Sequence, residues 1–233
     1  MLKLFLFIFS IVSSKDNLET ILRFTGSDKA KHHEYHLVYE DLFASIRDDR
    51  IKLLEIGVEN GFSMKGWSKY FTNPEMRIFG LAFRNRNKEN LTDNRIHIIH
   101  GDQSKNSTLD TLSKYGPFTV VIDDGSHVPS HQWKTFQWMW PHIIPGGYYI
   151  IEDIETSYWS ITSKIYGYKF REESSFVNKI MQLVNSHVNS EFQDGYDHED
   201  IFSITFSRNL IVLKKKKSVK NRRYKHWSKI QKD

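Results

Sequence analysis

The sequence contains no cysteine. That excludes disulfides, thiolate metal sites and cysteine nucleophiles together, and leaves the redox character of its compartment open. It also lacks a Gly-x-Ser-x-Gly elbow, and the adjacent pair Ser126-His127 sits on a single loop where the two side chains rarely aim at each other. No Gly-x-Gly-x-x-Gly dinucleotide fingerprint is present. Internal repeats are absent, and so is low-complexity sequence before the C-terminal end. That end lacks acid: Lys214 to Lys232 holds ten Lys or Arg and no Asp or Glu, so the rest of a chain of net charge +5 is net acidic. A basic tail of this kind reads as a solvated extension able to touch anionic surfaces by charge alone, with no sign of specific nucleic-acid recognition.

What is present suits one domain with a real core: 233 residues, 39% apolar and 14% aromatic. The opening MLKLFLFIFSIVSS, a lysine, an apolar run and small residues, has the layout of a short secretory signal and is too short to span a bilayer comfortably. The expected division is therefore a signal peptide at 1–14, a folded domain at 15–213 and a basic tail at 214–233. A buried N-terminal segment is the alternative. Secretory placement follows from the first reading and a cytoplasmic one from the second. Under the first, Asn90-Leu-Thr92 and Asn106-Ser-Thr108 are glycosylation sequons.

The organising stretch runs from Val120 to Ile154. An apolar run from Phe118 to Ile122 ends in Asp123-Asp124-Gly125-Ser126-His127, a helix opens near Pro129, and a second run from Tyr148 to Ile151 ends in Glu152-Asp153. In a parallel strand–helix–strand unit with a right-handed crossover the two strand ends lie side by side, at the edge where open α/β sheets bind ligands. Asp124, Glu152 and Asp153 then converge, with His127 one loop turn away. Carboxylates gathered in this way need a cation or must hold protons, and all-oxygen donors suit Mg²⁺, Mn²⁺ or Ca²⁺.

Around this unit the pattern alternates. Ile51 to Val58, Met76 to Phe83, Ile96 to His100 and the two strands above read as parallel strands separated by helices, and Asp200 to Phe206 with Leu210 to Leu213 reads as a closing hairpin. Upstream, Leu18 to Thr25 reads as a short helix, and Tyr35, Val38, Tyr39, Leu42, Phe43 and Ile46 recur at helical spacing. His32, His33 and His36 at the start of that second helix read as a wet helix end in preference to a metal site. Glu55-x-Gly57-x-x-x-Gly61 is a glycine turn from strand into helix that lets backbone approach a ligand.

This order resembles the class I S-adenosylmethionine-dependent methyltransferase fold, an α/β Rossmann-like sheet of seven strands with helices on both faces. DDGSHVPSHQ, PGGYYIIED, the following TSYW and the upstream GDQS resemble the Mg²⁺-dependent sugar O-methyltransferases of macrolide and related antibiotic pathways, the mycinamicin-type enzymes, and their cephalosporin-hydroxylase-named relatives. The resemblance implies metal ligands at Asp124, Glu152 and Asp153 and a general base at His127. It implies binding of S-adenosylmethionine at Glu55, Gly57, Gly61, Asp102, Gln103 and Asp123. The implied reaction is methyl transfer to a hydroxyl of a sugar-like or vicinal-diol acceptor, with Mg²⁺ or Mn²⁺ as cofactor. One position departs: Gly80-Leu-Ala82 puts alanine where the family carries an acid for the ribose hydroxyls, and a lost charge-assisted hydrogen bond of about 1.5–3 kcal/mol would weaken donor binding roughly ten- to a hundredfold. The second reading is accordingly a methyltransferase-fold binding protein without turnover.

Overall fold

The computed structural model describes residues 16–84, 91–159, 175–188 and 198–217. Segment 1–14, the sequon at Asn90 and the basic stretch beyond residue 217 lie outside the described residues. Three helices come first: α1 (Leu18–Thr25), α2 (Asp28–Lys31) and α3 (Tyr35–Phe43), the last continued by a 3₁₀ turn at Ala44–Ile46. Asn17 caps α1 by accepting from the Thr20 amide, and Gly26 closes it in the left-handed region at φ 85°. The short α2, capped by Ser27, was not expected from periodicity. There follow β1 (Lys52–Ile56), α4 (Phe62–Tyr70), β2 (Arg77–Ala82), β3 (Ile96–His100), α5 (Asn106–Ser113), β4 (Phe118–Asp123), α6 (Pro129–Met139), β5 (Ile143–Glu152), α7 (Phe176–Val188), β6 (Ile201–Ser207) and β7 (Leu210–Lys215).

The seven strands form one sheet in the order β3-β2-β1-β4-β5-β7-β6. Neighbours from β3 to β5 pair in parallel, and β7 runs antiparallel to both β5 and β6. The order reverses between β1 and β4, where Ile56 lies opposite Asp123. That is the switch point at which the strand ends splay and leave a crevice.

Period-two alternation sends successive strand residues to opposite faces, and the core divides accordingly. Leu53, Ile78, Val120, Ile122 and Ile150 pack with α1, α3 and α4, through Leu22, Tyr39, Phe43, Met64 and Trp67 among others. Leu54, Phe79, Leu81, Val121, Tyr149 and Ile151 pack with α5, α6 and α7, through Leu109, Leu112, Phe136, Met139, Phe176 and Ile180. Two differences from the expectation stand out. β5 begins at Ile143, ahead of the run expected from Tyr148, so Pro145-Gly146-Gly147 is part of the strand and is accommodated by the register irregularity opposite Phe118 to Val120. β7 runs to Lys215, two residues into the stretch read as tail.

Arg95, just before β3, fastens the outer strand to the helical layer. Its guanidinium donates to the carbonyls of Phe71 (2.8 Å), Asn73 (3.2 Å) and Ser68, and to Asp93 Oδ2 at 2.7 Å. The Arg95 hydrogen bonds hold the Asp93 carboxyl below its ordinary range. Arg95→Ala is expected to lower the unfolding free energy by about 2–3 kcal/mol in a denaturant titration, with Arg95→Lys recovering under half because an ammonium lacks the planar fork. Because the Asp93 pKa is depressed by folding, this margin should shrink as the pH falls below about 4. A change under about 0.5 kcal/mol at pH 7 would show that the staple does not hold the sheet edge.

Candidate active site

The carboxyl ends of β1, β4 and β5 meet at the switch point, and a cleft of about 910 Å³ opens above them. Gly57, Gly61, Asp102 and Gln103 line it, together with Asp124, His127, His131 and Asp153. The glycine turn and the acidic loop therefore share one space. Gly57 makes this possible: at φ 106° a Cβ built on it would sit 1.8 Å from the Asp124 carbonyl oxygen. Its amide donates to Leu81 O at 3.0 Å, while the Asp124 amide donates to Ile56 O at 2.9 Å. Gly61 starts α4 in the left-handed region at φ 74°.

Three of the acids expected at the site are turned elsewhere, and alternation along the strands is the reason. Asp123 points into the layer under α6, fully buried. Its Oδ1 accepts from Gln103 Nε2 at 2.7 Å and its Oδ2 from the Tyr149 hydroxyl at 3.2 Å. Burial pushes its carboxyl up to about 7 despite those hydrogen bonds. Glu55 is likewise buried beneath the glycine turn, taking Ser63 Oγ and Trp67 Nε1 at 2.5 Å each, so it braces α4 and does not line the cleft. Glu152, 2% exposed, takes the Lys29 ammonium on both oxygens, at 2.8 and 2.7 Å, and the Tyr39 hydroxyl on Oε1.

Asp124, His127 and Asp153 are brought together, with one ligand atom from each lying within 4.8 Å of the others. His127, at φ 55°, puts Nε2 at 3.1 Å from Asp124 Oδ1 and Nδ1 at 3.4 Å from Asp153 Oδ2. Asp153, itself at φ 53°, accepts on Oδ1 from the Tyr35 hydroxyl at 2.7 Å and from Asn209 Nδ2 at 3.1 Å. Two non-glycine residues in the left-handed region mark a loop pair held in place by its surroundings. Burial alone would lower the His127 pKa, but the hydrogen bond and charge of Asp124, with the charge of Asp153, raise it to about 9. Burial would raise that of Asp124, and the Lys29 and His127 charges outweigh it, so this carboxyl stays low.

Gln103 is a bracket as well as a wall. Its Nε2 also reaches Thr135 Oγ1 at 3.1 Å, and its Oε1 takes the Ser126 amide at 2.9 Å. Asp102 Oδ1 accepts from the Ser104 amide at 2.8 Å, which holds its carboxyl below the ordinary range. Ser126 Oγ is 2.9 Å from His131 Nδ1, so its neighbour on the loop is not its partner. The histidine trio forms no metal cluster among the described residues: His36 lies 3.7 Å from Glu19, and only His33 comes near the site, at 4.0 Å from Asp153 Oδ1. Ala82 is fully buried, and Leu81, Phe83 and Arg84 form the cleft wall at the end of β2. Sequence reasoning missed Lys29, Tyr39, Tyr35 and Asn209, whose roles rest on contacts across long stretches of chain.

A methyltransferase-domain family model matches residues 54–154. The chain is 34% identical over 164 residues to an 8-demethyl-8-α-L-rhamnosyl tetracenomycin-C 2′-O-methyltransferase of Streptomyces olivaceus, covering 67% of this chain and 42% of that protein. It is 39% identical over 129 residues to the mycinamicin VI 2″-O-methyltransferase of Micromonospora griseorubida, covering 52% and 31%. With the L-olivosyl-oleandolide 3-O-methyltransferase of Streptomyces antibioticus the identity is 31%, covering 82% and 46%. The chain thus spans less than half the length of these relatives. Among solved structures, the mycinamycin-pathway methyltransferase MycE, in complex with Mg, S-adenosylhomocysteine and mycinamycin VI, superposes with a TM-score of 0.77 at 29% identity, covering 88% of this chain and 54% of that one. An O-methyltransferase from Bacillus cereus shares the fold alone, with a TM-score of 0.52 at 16% identity and coverage of 88% and 94%. The sheet is that of the class I methyltransferases.

Gly57→Ala is expected to lower stability by at least about 2 kcal/mol, since strain at a positive φ and a backbone clash both oppose it. It should also abolish any rise in melting temperature that a ligand of the cleft gives the wild type. A variant that keeps both would mean that the turn does not depend on this close approach.

Proposed function

We propose, from the premise that residues 54–154 are a methyltransferase domain on a class I sheet, that the protein moves a methyl group from S-adenosylmethionine to a hydroxyl of a sugar-bearing small molecule. The observation that carries this reading is the single cleft that joins Gly57, Gly61 and Asp102 to Asp124, His127 and Asp153. A donor seated on the glycine turn would present its methyl group toward the acidic loop. Phe62 and Phe83 line the same cleft at 42% and 69% exposure, a surface suited to covering the apolar part of an acceptor.

The residues at the centre fit a hard divalent cation. One ligand atom each from Asp124, His127 and Asp153 lies within 4.8 Å of the others, and carboxylate oxygens are the donors that hard divalent ions prefer. Asp124 and Asp153 would hold Mg²⁺ or Mn²⁺, which would supply Lewis-acid activation of two neighbouring acceptor hydroxyls. Tyr35 and Asn209 keep Asp153 facing the cleft. His127 is the group placed to accept the acceptor's proton. Between two carboxylates it is charged at neutral pH, so its basic form requires that Asp124 and Asp153 release their hold on the ring.

The direct test is transfer of a labelled methyl group from S-adenosylmethionine, with Mg²⁺, to a panel of deoxysugar glycosides with and without vicinal hydroxyls. Labelled methyl ethers and S-adenosylhomocysteine are expected, and chelation should stop their formation. Donor binding with no transfer across the panel would favour the second reading, a binding protein without turnover, which the absence of an acid at Ala82 supports. No donor binding at millimolar concentration would overturn the methyltransferase reading itself. His127→Ala is expected to lower turnover by about 10²–10⁴-fold, with donor affinity unchanged in calorimetry. Full turnover in that variant would remove His127 from the chemistry.

A further inference from the structure

Lys29 has no role in the proposed chemistry, and its placement is unusual. Its side chain is 1% exposed, and its ammonium lies 2.6 Å from Asp124 Oδ2, 2.8 and 2.7 Å from the two oxygens of Glu152, and 4.0 Å from Glu55 Oε1. An ammonium has three N–H donors, and these contacts use them.

The arrangement divides the acids into two groups. Glu152 faces Lys29 and Tyr39, away from the cleft, while Asp124 keeps Oδ1, and Asp153 keeps Oδ2, on the cleft side with His127. A divalent ion close enough to bind Glu152 would have to sit beside a buried ammonium, where like charges repel strongly because little water screens them. Lys29 in its place and an ion on Glu152 exclude each other. We propose that Lys29 is the resident counter-cation of the acidic centre and a positioning residue: it reserves Glu152 and one oxygen of Asp124 for itself and leaves a single divalent-ion site on Asp124 and Asp153. This rests on the reading of the site as a divalent-cation centre, and it departs from the ligand set that includes Glu152.

The test uses the full chain and Mn²⁺ alone, with calorimetry and electron paramagnetic resonance as readouts. Wild type should take up one ion. Glu152→Gln should bind Mn²⁺ within about threefold of wild type, while Asp153→Asn should lose more than about tenfold, the scale of loss seen even for outer partners of a metal. Lys29→Met, by exposing two carboxylates, should bind a second ion. Should that variant fail to fold, Lys29→Met combined with Glu152→Gln removes the charges as a pair and should bind one ion as wild type does. The proposal is overturned if Glu152→Gln, or the double variant, loses as much affinity as Asp153→Asn, because Glu152 would then be a ligand. It is also overturned if wild type takes up no ion and Lys29→Met takes up one, because the ammonium would then replace the metal outright. No Mn²⁺ uptake by any variant contradicts the proposal together with the metal reading. Binding of S-adenosylhomocysteine in the same samples still judges the methyltransferase reading separately.

Discussion

Parallel strands that end together bring their terminal side chains together, and here those side chains are acids: Glu55 at the end of β1, Asp124 just past β4, Glu152 and Asp153 at the end of β5. Buried carboxylates at such spacing repel one another unless positive charge lies among them. The ammonium of Lys29 meets three of them at once. Because Lys29 belongs to α2, the ion cluster also ties the N-terminal helices to the sheet edge. Tyr39 from α3 adds a second tie to Glu152, and Tyr35, at the start of the same helix, ties Asp153. The helical layer over this face is therefore part of the site's electrostatics as well as of its packing.

The same alternation that builds the two-sided core sorts the adjacent acid pairs. Asp123 turns to Gln103 and Tyr149 and Asp124 to the cleft, while Glu152 turns to Lys29 and Asp153 to the cleft. One member of each pair is buried among structural partners and the other faces the cleft. Glu55 stays on the structural side as well, held by Ser63 and Trp67 of α4. Within the cleft, backbone meets backbone at Gly57 and Asp124, which fixes the spacing between the glycine turn and the acidic loop.

The strands were legible because each is an apolar run with a polar end. Ile96–His100 and Phe118–Asp123 begin and end where the sequence places them, and α6 opens at Pro129 as a first-turn proline should. The start of β5 lies before Tyr148 because turn-forming residues such as Pro145-Gly146-Gly147 can also be carried in a strand at an irregularity. The convergence of Asp124, His127 and Asp153 followed from topology, but the diversion of Glu152 did not. Lys29 lies 123 positions from Glu152, and a lysine near a helix start carries no local pattern that announces a buried ion pair. Tyr35 and Tyr39 were read as an apolar face, which their burial bears out; the hydroxyl contacts that make them part of the site are long-range and have no periodicity. The stretch matched by the family model, residues 54–154, likewise leaves out Lys29, Tyr35, Tyr39 and Asn209.

The partition of the acidic centre is the claim on which the account turns, and an ion's position decides it most directly. The measurement is a crystal structure of the chain with Mn²⁺ and S-adenosylhomocysteine, with the ion located by its anomalous scattering. The expected result is one peak bound by Asp124 and Asp153 at the cleft, with the Lys29 ammonium still seated on Glu152. A peak coordinated by Glu152, with Lys29 displaced from it, would contradict the account.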